Sequence, residues 1–333
     1  MADYINATSV KHPHESNEIL PERLTIDQLK ALMEINQPLV ISTILGEWMS
    51  IAGLIYLSNT YWHPLLYLVT VILIGARQHA LLVIGHDASH YVLLKNKKLN
   101  DWVADLFLFW PMFATVKGFR FFHSDHHRFL NTEKDKNRLL WKTHTLEGQL
   151  TEEWTYPKAS LEIFLRILSK MCFLTGLRWI VMGVLGIFIN LKTKMIPVSP
   201  WYVVLRLSFY CSSVAIFWYF NLFNQFLLYW IIPFCTWHVT AQYIRLICEH
   251  SAIQSTVKPY DMTRTTIANF FDSLLIIPHN IGYHHEHHWY PSVPYYHLPQ
   301  LHELLATKSQ FSQYGNVTHS VYESLQECTL KTS

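Results

Sequence analysis

Long apolar runs alternate with polar segments along this chain of 333 residues. A membrane-spanning helix needs roughly 20 mostly apolar residues. The runs that meet this length best are about 38–58, 64–85, 200–220 and 225–247. The links at 59–63 and 221–224 carry no Lys, Arg, Asp or Glu. Each pair of runs therefore predicts a helical hairpin that crosses the membrane and returns.

Two further apolar stretches are poorer candidates for membrane spans. Residues 102–116 are short and are broken by Pro111. Residues 171–190 are long enough to cross, but they contain Arg178 and three glycines. We interpret both stretches as re-entrant or interfacial helices, with a six-span chain as the alternative.

The distribution of basic residues predicts the orientation of the hairpins. Residues 118–170 contain nine Lys and Arg residues, and cytoplasmic loops of membrane proteins carry such an excess. Placing this loop in the cytosol leaves both uncharged tips on the far side. We therefore expect an all-α, multi-pass membrane protein with a cytosolic tail (1–37), a membrane domain (38–305) and a second cytosolic tail (306–333).

Composition agrees with a membrane protein and narrows its chemistry. Half of the residues (50%) are hydrophobic and only 15% are charged, whereas a soluble domain usually carries about 25% charged residues. The net charge of +2 is too small to indicate nucleic acid as a partner. The five cysteines include no C-x-x-C pair, so neither a disulfide framework nor a cysteine metal site is expected. The polar N-terminus lacks the apolar core of a cleaved signal peptide. Histidine is the unusual count, at 20 residues.

Eight of these histidines fall in three short motifs with helical spacing. The motifs read H86-D-A-S-H90, H123-S-D-H126-H127 and H284-H-E-H287-H288. Positions i, i+3 and i+4 share one face of a helix. This selects His86, His90, His123, His126, His127, His284, His287 and His288, and leaves His285 as a neighbour of the site or a bystander. In the four-span arrangement all three motifs lie at the cytosolic surface. Eight imidazoles exceed what one ion coordinates, so two ions are predicted.

The ligand type favours iron. Imidazole suits Zn, Cu, Fe and Ni, but a structural zinc site would normally use four ligands with some Cys. An imidazole-rich pair with open positions suits a redox metal that handles O₂. Three carboxylates inside the motifs, Asp87, Asp125 and Glu286, are candidate partners for the second N–H of the ligands. The alternative is that they are ordinary surface carboxylates.

The end of the fourth run offers a ninth ligand. His238, Gln242, Arg245 and Glu249 form one stripe, and ionisable residues in a span normally face the bundle interior. Glu249 is thus a candidate neighbour of the site. His250 lies off the stripe but at the right depth, and we predict that it is a ligand, with a capping or surface role as the alternative.

Two charged residues inside the spans predict an ion pair. Arg77 lies nine residues before His86 and therefore about 13 Å deeper, at about 1.5 Å per residue. Glu47 lies nine residues into the first span and should reach a similar depth. We hypothesise an intramembrane Glu47–Arg77 pair, which head groups more than about 6 Å apart would contradict.

The three motifs, in this order and between paired spans, resemble the histidine boxes of membrane fatty acid desaturases. Other segments resemble bacterial-type acyl desaturases: R77-Q-H-A-L, N131-T-E-K-D135, R245-L-I-C-E-H250, T263-R-T-T266 and P278-H-N-I-G-Y-H-H-E-H-H-W-Y-P-S-V-P294. The resemblance covers roughly residues 40–305. One departure is D135-K-N, where D-P-D would be typical; we expect it to alter the loop without touching a ligand.

The resemblance implies both a fold and a reaction. It implies a four-span helical fold whose cytosolic cap holds two iron ions (Fe²⁺/Fe³⁺), and a lipid acyl chain held in an apolar tunnel as the substrate. With O₂ as cosubstrate, hydrogen is removed from unactivated C–H bonds to give a double bond. Asn280 is the candidate for the asparagine that holds a metal-bound water in this family. No H-P-G-G motif of a fused cytochrome b5 domain occurs, so electrons are expected from a separate ferredoxin, or from cytochrome b5 with its reductase.

Other functions and locations stay open at this point. A lipid hydroxylase or carotenoid ketolase uses the same histidine boxes within the same superfamily. A histidine-rich metal transporter is a remote alternative, because transporters place ionisable ligands at the bilayer midplane whereas these motifs lie outside the spans. The bacterial-type motifs favour a bacterial inner membrane, with the boxes facing the cytoplasm, over a eukaryotic organelle.

Overall fold

The computed structural model describes residues 24–130, 132, 134–137, 154–253, 262–309, 311 and 315–330. The first 23 residues of the predicted N-terminal tail, and most of the loop between 131 and 153, lie outside the described residues. The described chain is mostly helical. Its first helices are α1 (Ile26–Leu32), α2 (Gln37–Thr60) and α3 (Pro64–Ser89).

Helices α2 and α3 pack against each other as a hairpin. Proline lies in the first turn of each helix, and Asn36 and His63 cap their N-termini. Proline suits this position because its missing N–H would have no intrahelical partner there. The tip between the two helices is the uncharged link expected from the sequence.

Among the described residues, four helical segments are long and apolar enough to cross a membrane. They are Ile26–Thr60, Pro64–Ser89, Leu174–Thr193 and Pro200–Tyr219. Three of them match the first three predicted spans to within a few residues or extend beyond them. Leu174–Thr193 corresponds to the stretch interpreted as re-entrant or interfacial; its length and composition alone qualify it as a span, and the interpretation stays a prediction.

The fourth predicted span, 225–247, lies in a helical run that is not a regular α-helix. The run consists of α9 (Phe223–Phe226), two π-helical segments (Leu227–Ile231 and Phe234–His238) and α10 (Val239–His250). It packs against α3 in the same direction. Gly75 of α3 lies at this crossing, where a Cβ would meet the Trp237 side chain and the Pro233 carbonyl. The glycine is needed for this close approach.

Residues 97–129 run back along α3 from its C-terminal end and then return towards that end. The descending arm is α4 (Lys97–Ala104), a π-helical segment (Asp105–Phe109) and a 3₁₀ turn (Trp110–Met112). The returning arm is α5 (Val116–Phe129), which carries the second histidine motif. The Asp105 carboxylate accepts a hydrogen bond from the Val116 N–H at 2.8 Å, which joins the two arms at the start of α5.

The following helices are α6 (Ser160–Lys170), α7 (Leu174–Thr193) and α8 (Pro200–Tyr219). Arg206 of α8 donates to the Phe113 and Gly183 carbonyls at 3.1 and 3.2 Å. One guanidinium therefore ties α7 and α8 to the turn between the two arms.

The last third of the described chain packs around the histidine motifs, and we call it the cap. It contains β1 (Arg264–Thr266), α11 (Phe270–Leu275), α12 (His284–Trp289), α13 (Leu298–Ala306), β2 (Asn316–Thr318) and α14 (Val321–Glu327). Strands β1 and β2 pair in parallel, with Arg264 opposite Asn316. The all-α prediction contained no strand. Residues 316–327, which the sequence assigned to a tail, pack on this cap.

Candidate metal centre

The structure brings all nine predicted histidine ligands together in two groups. The five-histidine group is His86, His90, His123, His127 and His287, and the four-histidine group is His126, His250, His284 and His288. Within each group, one ring nitrogen from every residue lies within 4.8 Å of the others. Elements far apart in sequence (the ends of α3 and α10, with α5 and α12) supply these side chains.

Neighbouring histidines in the second and third motifs go to different groups. His127 and His287 belong to the five-histidine group, whereas His126 and His288 belong to the other. The rings of His127 and His288 stack across the boundary with their centroids 4.2 Å apart. The two groups are therefore in direct contact, as a site for two neighbouring ions requires.

The ring nitrogens face one another at short distances. The Nε2 atom of His127 lies 3.0 Å from that of His123 and 3.1 Å from that of His287. In the other group, Nε2 of His284 lies 2.9 Å from that of His250 and 3.1 Å from that of His288. Converging lone pairs are the arrangement that a cation between them would stabilise.

The electrostatics suit a metal ion. Burial lowers the pKa of His123, His127, His284, His287 and His288 well below the usual histidine value. These imidazoles are therefore neutral at physiological pH, which is the form that binds metals. The Nε2 atom of His90 and the Nδ1 atom of His127 are buried without a hydrogen-bond partner among the described residues. The donor set of nine imidazoles without a thiolate fits iron.

Apolar side chains pack against one side of the five-histidine group. The Phe119 ring lies 5.1 Å from the His123 ring and 5.5 Å from the Phe109 ring, measured between centroids. Phe109 in turn packs where a Cβ on Gly85 would stand. These rings exclude water from one side of the group.

Two of the three carboxylates inside the motifs bind residues other than the predicted ligands. Asp125 pairs with Lys136 at 2.5 Å and is partly exposed. Glu286 is fully buried and accepts a hydrogen bond from Thr265 at 2.6 Å, and its other oxygen contacts His302. His302 lies outside the three histidine motifs. No periodic pattern connects it to the third motif.

Asp87 and Glu249 lie near predicted ligands. One oxygen of Asp87 lies 3.7 Å from Nδ1 of His86, and the other accepts the Tyr295 N–H at 2.9 Å. One oxygen of Glu249 lies 3.2 Å from Nε of Arg245 and 3.5 Å from Nδ1 of His284. Both carboxylates are thus placed to orient an imidazole.

Asp135 lies beside a predicted ligand, a contact that the sequence did not predict. Its carboxylate is buried and lies 3.0 Å from Nδ1 of His126. The departure from D-P-D lies at Lys136 and Asn137, and Asp135 is the position that the two patterns share. A carboxylate on the second nitrogen of a ligating histidine fixes the ring orientation. The N131-T-E-K-D135 motif was the only signal in the sequence, because loop spacing carries no helical period.

Two other candidates bind residues outside the histidine groups. The Asn280 amide donates to the Tyr295 carbonyl at 3.3 Å, so its side chain is turned to that carbonyl. His285 points away from both groups, and its Nδ1 atom lies 2.8 Å from the Thr263 hydroxyl.

Glu47 and Arg77 form an ion pair, with 3.1 Å between Oε1 and Nη1. His279 adds a third member, because its Nε2 atom lies 2.9 Å from the same carboxylate oxygen. Arg77 also donates to the Leu274 carbonyl. The pair therefore connects the α2–α3 hairpin to the segment that leads into the third histidine motif.

Comparison with known proteins places these features in a family. The family model described as "Fatty acid desaturase" matches residues 62–321. The chain is 26% identical to a dihydrorhizobitoxine desaturase of Bradyrhizobium elkanii, over 77% of this chain and 71% of that protein. It is 24% identical to a chloroplastic omega-6 fatty acid desaturase of Arabidopsis thaliana, over 90% of this chain and 67% of that protein.

Proposed function

Because this chain belongs to the fatty acid desaturase family, we propose that it introduces a double bond into the acyl chain of a lipid. The balanced reaction converts –CH₂–CH₂–, O₂, two electrons and two protons into –CH=CH– and two molecules of water. Two iron ions, when bound, supply the redox chemistry with O₂ that cleaves an unactivated C–H bond. The resemblance in sequence that suggested this family is confirmed by the family match.

The observation that carries the proposal is the convergence of nine imidazoles in two touching groups at the end of the long apolar helix α3. We propose that His86, His90, His123, His127 and His287 hold one ion, and that His126, His250, His284 and His288 hold the other. Apolar helices beside the groups suit an acyl chain as substrate. The apolar tunnel expected for that chain stays a prediction.

The surrounding residues would orient and shield this centre. Asp135, Glu249 and Asp87 each place a carboxylate near the outward nitrogen of one imidazole, and such partners fix ligand orientation. Phe109 and Phe119 keep water from one side. A dry site protects reactive species from side reactions.

We further propose where the enzyme works and what supplies its electrons. The basic loop and the histidine motifs would face the cytoplasm of a bacterial inner membrane. Electrons would come from a separate ferredoxin, or from cytochrome b5 with its reductase, through the cytosolic side of the cap.

The reaction is tested by expressing the full chain in a bacterial host of simple lipid composition. We expect new unsaturated acyl chains, with the double bonds located by mass spectrometry of dimethyl disulfide adducts. Hydroxy or keto lipids as the only new products would overturn desaturation in favour of the oxygenase alternative. No new product from iron-loaded protein, supplied with O₂ and reducing donors, would also overturn it.

The ligand assignment is tested with one variant in each group. Purified wild-type protein should contain about two iron ions per chain, and stoichiometric zinc would count against the assignment. His126→Ala and His287→Ala should each abolish product and lower bound iron, whereas His285→Gln should retain iron because this side chain faces Thr263. Full iron and activity in both alanine variants would refute the assignment.

A further inference from the structure

Helix α3 ends directly before His90, and a guanidinium binds its last carbonyls. Arg120 donates through Nε to the Ser89 carbonyl at 2.8 Å and through Nη2 to the Ala88 carbonyl at 2.9 Å. The last four carbonyls of a helix lack intrahelical partners, and this end also carries a partial negative charge. A guanidinium therefore donates to the free carbonyls and also places a positive charge at the negative end of the helix.

Arg120 is itself held firmly. Asp101 accepts from Nη2 at 2.6 Å and from Nη1 at 3.1 Å, and the guanidinium carbon lies 3.7 Å above the Tyr91 ring. Arg120 lies in α5, three residues before His123. It therefore fixes the helix of the first histidine motif relative to the helix of the second.

Helix α10 ends at His250, and a second arginine binds its end in the same way. Arg264 is 1% exposed. It donates through Nη1 to the Cys248 carbonyl and through Nη2 to the Ser251 carbonyl at 3.1 Å. Its Nε atom donates to Glu327 of α14 at 2.9 Å. The last described helix, α14, therefore fixes Arg264, and Arg264 fixes the end of α10.

Strand β1 connects this arginine to the third histidine motif. Successive side chains of a strand point to opposite faces. Thr263 and Thr265 contact His285 and Glu286, whereas Arg264, between them, contacts the end of α10. The T263-R-T-T266 segment therefore fixes α12 and α10 relative to each other, and these helices supply three members of the four-histidine group.

We propose that Arg120 and Arg264 are positioning residues, each of which fixes the end of one ligand-bearing helix and so sets the geometry of one metal site. Arg120 acts on the five-histidine group and Arg264 on the four-histidine group. This inference rests on the proposed metal sites. Each arginine acts through backbone carbonyls, and ligand geometry tolerates displacements of only about 0.5 Å.

The experiment measures Co²⁺ binding to the full-length, metal-free protein in detergent, by the d–d absorption of the ion and by stoichiometry. Wild-type protein should bind two ions. Arg120→Gln and Arg264→Gln should each keep one tight site and bind the second ion at least tenfold more weakly, the scale seen when outer partners of ligands are removed. Arg206→Gln is the matched control, because Arg206 is also buried and also donates to two carbonyls, but far from the histidines in sequence and on other helices. It should bind two ions as the wild type does.

Combination variants identify the site that is weakened. Arg120→Gln with His287→Ala should retain one ion, because both changes affect the same group, whereas Arg120→Gln with His126→Ala should retain no tight site. Arg264→Gln should show the reverse pattern. The opposite assignment, or equal weakening in both combinations, would overturn the proposal.

Lysine variants keep the test decisive where a glutamine variant fails to fold. Arg120→Lys and Arg264→Lys keep the charge but lose the fork, and should fold with a weakened second site, as judged by size-exclusion chromatography beside binding. If the wild type and every arginine variant bind two ions tightly, the positioning role is refuted but the proposed metal sites are not. A wild-type protein that binds no ion would instead refute the proposed metal sites.

Discussion

The carboxylate of Asp135 lies 3.0 Å from Nδ1 of His126, nine residues back along the chain. This contact leaves Nε2 of His126 as the nitrogen available to a metal. A loop residue thus sets the orientation of one member of the four-histidine group.

Asp135→Asn should weaken metal binding without unfolding the protein. An amide is a weaker acceptor than a carboxylate, and loss of such an outer partner typically costs 10–100-fold in metal affinity. The measurement is a titration of metal-free protein with Fe²⁺ under anaerobic conditions. Asp125→Asn is the control, because Asp125 pairs with Lys136 at the surface, and it should bind iron as the wild type does. Equal effects of the two variants would contradict the role of Asp135.

Glu47→Gln should destabilise the protein by about 3 kcal/mol. Removing one partner of a buried ion pair leaves the other charge uncompensated, at a typical cost of 3–5 kcal/mol. The double variant Glu47→Gln with Arg77→Gln should cost less than the sum of the single changes. Unfolding in a mixed-detergent series measures these free energies.

An exposed ion pair provides the control for Glu47. Arg166 and Glu162 lie one helical turn apart on α6 at 2.8 Å, and an exposed pair of this kind contributes little to stability because water screens its charges. Arg166→Gln should therefore leave stability almost unchanged. If Arg166→Gln lowered the free energy of unfolding as much as Glu47→Gln does, the effect would not be specific to a buried ion pair.

Asp105 should make the stability of the protein depend on pH. Burial raises the pKa of its carboxyl from 3.8 to about 6. Because the folded-state pKa is raised, the stabilisation is complete below the unfolded-state pKa and is lost as the pH rises through about 6. The loss is roughly 3 kcal/mol at about 1.4 kcal/mol per pKa unit.

Asp105→Asn should remove this dependence. The difference in unfolding free energy between the variant and the wild type should therefore shift in favour of the variant between about pH 4 and pH 7. The exposed Asp27→Asn serves as the control and should show no such shift. A constant difference between Asp105→Asn and the wild type across this range would contradict the assignment.

Cysteine labelling should report the orientation of the hairpins. Single cysteines at Thr60, Asn224 and Lys194 would be introduced after the exposed Cys172 and Cys211 are replaced by serine. A membrane-impermeant maleimide added to intact cells should label Thr60→Cys and Asn224→Cys but not Lys194→Cys. Labelling at Lys194→Cys from outside would instead indicate that α7 crosses the membrane.

The sequence predicted the site residues best where these residues lie on a regular helix. Spacings of three and four residues identify the histidines of the three motifs, because such positions share a face wherever the helix is placed. The rise per residue along regular helices likewise placed Glu47 and Arg77 at a similar depth from residue counts alone.

Other features depend on contacts that no period records. The division of His126 and His127 between the two groups follows from the docking of α10 and α12, since adjacent residues on one helix point about 100° apart. Asp135 and His302 reach the site from irregular or distant segments. The run at 223–250 has the composition of an ordinary apolar span. Its π-helical segments accompany packing against α3, which local composition does not record.

The parallel pairing of β1 with β2 has a consequence for the biogenesis of the protein. All nine histidines leave the ribosome before β2 does, because Asn316 follows His288 by 28 residues. At about 5–20 residues per second, this interval lasts roughly 1.4–5.6 s. During that time the nascent chain displays a full set of imidazoles without the strand and helix that brace their scaffold. Iron that arrives early would meet loosely organised ligands, so faithful metal loading is expected to be a late event that follows the synthesis of α14.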